Sequence, residues 1–448
     1  NRAMELLPNL PSADSTGLLI ELLEQRSLTH LALSNFDAAI EDLEQLLQAY
    51  QDNGQQHQVG VTLYRIGFAH YWAHRLTKAT KYLDQALAQA ELLNYAELRQ
   101  QALRLRDILN TTQGTIADTT AAEVELYSDA SRVTSYQAEE LWGYAMLAHL
   151  RYDFALALQR AQICINVGQA TSNTFLTLGG FFILGMSQAS LGNYQIALDS
   201  LLGALKISED SGDSFWRARL VNTIGWVYRE LFCFDQALQY DLLSLELARN
   251  NTPRLTEAEG NALANLATTS WMLGQHEQAQ AYLQEGLELA GHEPFMRWRY
   301  FTRMVIIQGW LALHAGDLDG AWEAVERSLE LARHTKARKN IARSCMLRGN
   351  VLLAQGDYER ARAALRHALM VATNLEAVST IWRCQLSLAE LEQTIGNEEA
   401  AQKYRAAAFA LIDDIAGRLK DNALQSHFRE MILQVTQHNQ LALRAELH

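Results

Sequence analysis

Residues 349–368 read GNVLLAQGDYERARAALRHA. A small residue, Gly349, is followed seven positions later by a turn glycine, Gly356, then by an aromatic, Tyr358, and a small residue, Ala361. Beyond it the apolar residues fall at Ala361, Leu365 and Ala368, a spacing that puts them on one face of a helix. The turn glycine ends the preceding helix, because left-handed backbone angles cost glycine nothing. The alanine marks where the second helix crosses the first, and a larger side chain there overpacks the contact. The stretch therefore reads as two antiparallel helices, A and B, joined by a short turn.

The same phrase recurs along the chain. Its alanine stands at 39, 79, 157, 197, 237, 279, 321, 361 and 401, at spacings of 40, 78, 40, 40, 42, 42, 40 and 40. The gap of 78 holds a degenerate copy around Gly114 and Thr119, which makes ten units of about forty residues. The small residue ahead of the turn recurs in phase as Gly67, Gly185, Gly225, Gly309 and Gly349, or as Ser27, Ala145, Ala267 and Ala389. One such helix pair cannot bury its apolar face alone and must stack on its neighbours. The expected fold is all-α: a right-handed α-solenoid, a superhelix of about ten antiparallel helix pairs.

Gly349, Gly356, Tyr358, Ala361 and Ala368, and likewise Gly185, Gly192, Tyr194, Ala197 and Ala204, resemble the tetratricopeptide repeat (TPR) over roughly residues 18–418. The usual repeat is shorter by about six residues. The forty-residue variety resembles the sensor solenoids of bacterial STAND-class signalling ATPases, maltose-type transcription activators among them. It also resembles the arrays that follow the ATPase module in large cyclase, kinase and LuxR-type regulators. The opening Ala3-Met-Glu-Leu-Leu-Pro8-Asn-Leu-Pro11 is similar to the segment entering such arrays. The chain begins at Asn1 rather than Met, which predicts a piece of a larger protein.

Residues 1–17 read as a leading linker, 18–418 as the solenoid, and 419–448 as a capping helix and tail. Residues 110–135 are rich in β-branched and polar residues and predict either a distorted repeat or a joint. Composition agrees with an all-helical chain: only four prolines stand among 448 residues, too few for the turns of a sandwich or barrel. A net charge of −13 argues against a general nucleic-acid binder. Cys164, Cys233, Cys345 and Cys384 are far apart and form no C-x-x-C pair, as expected of reduced thiols in the cytoplasm. The longest apolar stretch, Leu176 to Met186, is too short to span a bilayer.

Catalytic motifs are missing from the sequence. No Gly-Lys pair occurs, so there is no P-loop; His276-Glu and His292-Glu lack the second His of a zinc motif. No enzyme, cofactor or metal is expected. The repeats instead offer a surface. In solenoids of this kind helix A lines the concave groove, and two features fall on it.

The first feature is aromatic: Tyr64, Trp72, Trp226 and Trp271 are the candidates for contacting a ligand. Inter-helix packing is the competing reading for each. The second is a ladder: Arg219, Arg303, Arg343 and Arg383 each sit six residues before the small marker. Guanidiniums at one repeated place attract carboxylates or phosphates, or bridge to acids of a neighbouring repeat. Residues 331–370 carry nine Lys and Arg against Asp357 and Glu359, a local excess that could also dock an acidic partner.

The expected function is a non-catalytic sensor or scaffold region of a larger bacterial signalling protein. It would bind a small ligand or protein partner in the groove and act on an ATPase or effector domain of the same parent chain. The alternative is a constitutive scaffold recognising an acidic peptide or partner domain.

Overall fold

The computed structural model describes residues 12–114, 135–292 and 297–437. Among them are twenty helices and no strand. Units 1 and 2 pair α1 (Ser12–Ala32) with α2 (Phe36–Asp52) and α3 (Gln56–Trp72) with α4 (Leu76–Leu92). Unit 3 contributes α5 (Ala96–Thr112); residues 115–134, where a distortion or joint was expected, lie outside the described residues. Units 4 to 6 pair α6 (Ser135–Leu150) with α7 (Phe154–Ala170), α8 (Thr174–Ser190) with α9 (Tyr194–Ser211), and α10 (Ser214–Glu230) with α11 (Phe234–Asn250).

Units 7 and 8 pair α12 (Thr256–Met272) with α13 (His276–His292) and α14 (Arg297–His314) with α15 (Leu318–His334). Units 9 and 10 pair α16 (Arg338–Ala354) with α17 (Tyr358–Asn374) and α18 (Val378–Thr394) with α19 (Glu398–Gly417). α20 (Asn422–Gln437) follows them. Of the expected linker, residues 12–17 are already helical; residues 1–11 and the tail from 438 lie outside the described residues.

The turn phrase encodes both helix ends. At Gly356 (φ +79°) the Gly356 and Asp357 amides donate to the carbonyls of Leu353 and Leu352, at 3.0 and 2.9 Å, which closes α16. Asp357 then caps α17 by accepting from the Arg360 amide. Asp153, Asn173, Asp213, Asp317 and Asn397 cap their helices in the same way.

The small residue of helix A sits where helix B crosses it. A Cβ on Gly349 would lie 2.5 Å from Leu365 Cγ, and one on Gly185 2.5 Å from Leu201 Cγ. Gly225 admits the carboxyl of Asp241 instead of an aliphatic side chain. Gly67 has more room, its nearest neighbour being Leu83 Cγ at 3.1 Å.

The superhelix winds tightly enough for successive turns to touch. Ser34 Oγ, at the A–B turn of unit 1, donates to Asp213 Oδ2 of unit 6 at 2.6 Å. His74 of unit 2 lies 3.3 Å from Arg219 of unit 6. Trp298 Nε1 of unit 8 donates to the Thr111 carbonyl of unit 3 at 2.9 Å. Tyr152 of unit 4 faces Lys339 and Arg343 of unit 9 across one cavity. Asn193 of unit 5 accepts from Arg418 at the end of unit 10. Phe232 of unit 6 packs on Trp382 of unit 10 and Phe428 of α20. Each contact spans four or five units, and each starts from an A–B turn.

These contacts correct the expectation that glycine is what ends helix A. Ser34, His74, Tyr152 and Phe232 all occupy the left-handed region, at φ +59°, +60°, +66° and +62°. A left-handed non-glycine residue costs about 1–2 kcal/mol. Each of these four side chains offsets the cost with a contact to another turn of the superhelix. In units 7 to 10 the same position holds Gly274, Gly316, Gly356 and Gly396, and nothing lies within 4 Å of where their Cβ would be. The turn residue is non-glycine only where a further superhelical turn covers it.

Gly349→Ala gains about 1 kcal/mol of helix propensity and loses about 1–3 kcal/mol to overpacking against Leu365. Gly67→Ala gains the same and meets a looser neighbour. Urea unfolding followed by tryptophan fluorescence should show Gly349→Ala destabilised and Gly67→Ala neutral or stabilised.

Candidate functional site: a cationic lumen

Helices A face the inside of the superhelix, and its two halves are filled differently. In units 1 to 6 the inside is an aromatic core. Trp72 lies 4.6 Å from Trp142, 5.1 Å from Phe175 and 5.7 Å from Phe215, centroid to centroid. Trp142 and Phe175 in turn meet Trp216 at 5.7 and 5.3 Å. The edge-on and tilted geometries suit ring quadrupoles. Tyr64, 1% exposed, lies beside this core with Phe68 and Tyr71. Both Tyr64 and Trp72 thus occupy packed core, because this part of the superhelix is wound closed.

Further along, the inside opens into a cavity of about 150 Å³, lined mostly by units 6 to 9 and closed on one side by His149 and Tyr152 of unit 4 and Phe182 and Met186 of unit 5. A second chamber of about 60 Å³ adjoins it and shares Arg229, Arg303 and Arg343 as its wall. Trp226 lines the first chamber under the Lys339 ammonium, 5.1 Å from the ring centroid. Trp271 lines the second, 1% exposed and stacked on Trp310 at 6.5 Å.

The four ladder arginines have different surroundings. Arg219 pairs with Glu257 at 3.2 Å, across to the next unit. Arg383 pairs with Glu230 at 2.9 Å, across to the preceding superhelical turn. Arg303 reaches only neutral acceptors, Asn261 Oδ1 at 3.2 Å and Asn265 Oδ1 at 2.5 Å. Arg343 has no carboxylate within ion-pair distance among the described residues.

Electrostatics follows from this crowding. Burial, then the guanidiniums of Arg229, Arg343 and Arg299, disfavour the charge on Arg303. Burial and then Arg343 bring the Lys339 ammonium down to about 7. Burial works against ionisation of Glu230, but Arg383 and Arg229 outweigh it and hold its carboxyl down at about 2. Burial raises Asp241 to about 7, against the opposing pull of Arg229 and the hydrogen bond from Asn265. Among the described residues no three His, Cys, Asp or Glu side chains are grouped to hold a metal. No described helix is long and apolar enough to cross a membrane.

A sequence profile of the tetratricopeptide repeat matches residues 260–292 and 342–374, within units 7 and 9. The chain is a TPR-like α-solenoid repeat protein. No curated protein matches it. Among solved structures it is similar to a Rap protein complexed with competence and sporulation factor, with 13% identity and a TM-score of 0.62. That match covers 80% of this chain and 99% of the other. It is also similar to the Rap conjugation gene regulator of plasmid pLS20 in complex with the Phr* peptide, with 16% identity and a TM-score of 0.51. The match covers 80% of this chain and 95% of that one. Both likenesses are of fold. They are to Rap-type regulators, whereas the repeat length had suggested STAND-class sensors.

Reading the ladder alone misses several lumen residues of this TPR-like solenoid. Glu257, Arg299 and Lys339 stand four residues before the ladder position in units 7, 8 and 9, one helical turn away on the same face. Asn261 stands at the ladder position itself, in the one unit between Arg219 and Arg303. Both signals were present in the repeat register. Arg229 and Asn222 carry no periodic signal; only the fold turns them inward.

Asp241 gives a pH prediction. Its folded value of about 7 lies above the ordinary 3.8, so the native state holds this proton more tightly than the unfolded chain. The stabilisation is complete below about pH 4 and is lost as pH rises towards 7. Asp241→Asn removes this dependence. Relative to the parent, the variant should gain about 2 kcal/mol between pH 5 and pH 8, measured by urea unfolding at both values.

Proposed function

We propose that this chain is a non-catalytic TPR-like scaffold that takes a peptide or a segment of a protein partner into the lumen of units 6 to 9. The observation that carries this reading is the cavity itself. Its wall holds donors that the chain leaves unused: Arg229 Nη1 and Asn222 Nδ2 are buried there without a hydrogen-bond partner. Buried unsatisfied donors cost about 1–3 kcal/mol each, and a peptide's carbonyls would satisfy them. The two solved Rap structures, in complex with competence and sporulation factor and with the Phr* peptide, support a peptide as the occupant.

This favours the peptide-recognising scaffold over the small-ligand sensor suggested by repeat length. An ATPase or effector domain of the same parent chain is then one source of the bound segment. The four cysteines are unpaired and three are buried, which fits a reducing, cytoplasmic compartment. Within the proposed organisation α20 caps the solenoid: Phe428 and Ile432 join the core cluster shared by Phe232 of unit 6 and Trp382 and Ile415 of unit 10, and His427 contacts the Phe232 carbonyl at 3.2 Å.

A fluorescence-anisotropy screen of labelled peptides of five to fifteen residues tests the reading. Asn222→Leu, in the cavity wall, should weaken the best binder at least tenfold, or about 1.4 kcal/mol. Gln284→Leu, on the exposed face of α13, should leave binding unchanged. Equal effects of the two variants, or no binder in the screen, would count against a lumen site.

A further inference from the structure

The wall shared by the two chambers has an excess of positive charge that the chain itself compensates only in part. Among the described residues seven cationic side chains line the chambers, against two carboxylates, Glu257 and Glu230. Both carboxylates have their direct ion pairs elsewhere, Glu257 with Arg219 and Arg299 and Glu230 with Arg383, although the Glu230 charge also acts on Arg229 and Arg343 from further off. Asp241, behind the wall, approaches Arg229 no closer than 3.9 Å. What remains at the junction is Arg229, Arg303 and Arg343, with Lys339 beside them.

The three arginines differ in how they are held. Arg229 is 6% exposed, yet its Nη1 makes no hydrogen bond. Arg303 is fixed by two asparagine oxygens, which orient a guanidinium without neutralising it. Arg343 is oriented by no carboxylate. Arg229 is buried, whereas Arg303 and Arg343 are half-buried and open onto the cavity; a structural cluster would neutralise the buried one, because an uncompensated buried charge is costly. Neutral asparagines at Arg303 instead leave the charge available while fixing its direction. Guanidiniums present paired N–H donors that match a carboxylate or a phosphate.

We propose that Arg229, Arg303 and Arg343 form an oxyanion site at the junction of the two chambers, which takes the carboxylate or phosphate group of a ligand. The site draws its location from the lumen reading above, but it does not require the ligand to be a peptide. Its parts come from α10, α14 and α16, in units 6, 8 and 9. An anion bound there bridges residues from two sides of the lumen and replaces mutual repulsion with attraction. Occupancy therefore also favours the wound state of the superhelix. The committed pairs, Arg219–Glu257 and Arg383–Glu230, flank the site and are not part of it.

The test uses the whole chain and two probes, orthophosphate and succinate, each against chloride at matched ionic strength. Calorimetric titration reads binding, and small-angle scattering reads the radius of gyration. One of the probes should bind and reduce the radius, and the better probe distinguishes a phosphate source from a carboxylate one. Arg343→Gln should weaken that binding at least tenfold, and Arg303→Gln likewise. Because Arg343 holds no carboxylate, Arg343→Gln should fold even if Arg303→Gln does not. Arg366→Gln, on the exposed side of α17, should bind as the parent does.

If neither probe binds, or if Arg343→Gln and Arg366→Gln respond alike, the oxyanion site is overturned. A peptide from the screen, tried as free acid and as C-terminal amide, separates the two readings. Binding that ignores Arg343→Gln and every carboxylate would sink the oxyanion site and leave the peptide scaffold standing. Phosphate or succinate binding with no peptide binding would do the reverse.

Discussion

A helix pair that is apolar on both broad faces has no way to bury them except against further pairs. The close crossing at Gly185, Gly349 and their counterparts makes each pair a thin, uniform slab. Slabs of one shape stack with one repeated rotation, so the array coils and its first helices converge on the inside. The lumen, its contents and the contacts between superhelical turns all follow from that repeated crossing. Where Gly225 meets the Asp241 carboxyl in place of the usual aliphatic neighbour, the same crossing buries an ionisable group behind the lumen wall.

The two halves of the lumen then meet opposite demands. From unit 2 to unit 6 the converging helices carry Trp72, Trp142, Phe175 and Trp216, and the inside closes there as an aromatic core. In units 6 to 9 they carry arginine, lysine and asparagine, which cannot close without leaving charge uncompensated. That half stays open for an electrostatic reason.

Period, turn chemistry and crossing positions were legible because they repeat, and repetition is a signal within a single chain. The arginine ladder was legible for the same reason, and its four members do line the inside. The state of each arginine was not. Glu257 meets Arg219 from the next unit, but Glu230 meets Arg383 from a superhelical turn away, a separation of 153 residues that no local pattern announces. Tyr64 and Trp72 could not be told from groove-lining aromatics, because helix A presents the same face to core and to cavity. The turn position could be seen to vary, but not why: Ser34, His74, Tyr152 and Phe232 stand there in units that another superhelical turn covers.

Those turn contacts change what kind of polymer this is. In an open solenoid each unit answers only to its two neighbours, and units can be added or removed like beads. Here unit 1 also answers to unit 6, unit 3 to unit 8, and unit 5 to unit 10. Excising one unit from the middle would slide every later unit past its partner, so that Trp298 no longer found Thr111 and Arg418 no longer found Asn193. The order of the units is thereby fixed, since each must meet the particular unit that lies one superhelical turn away.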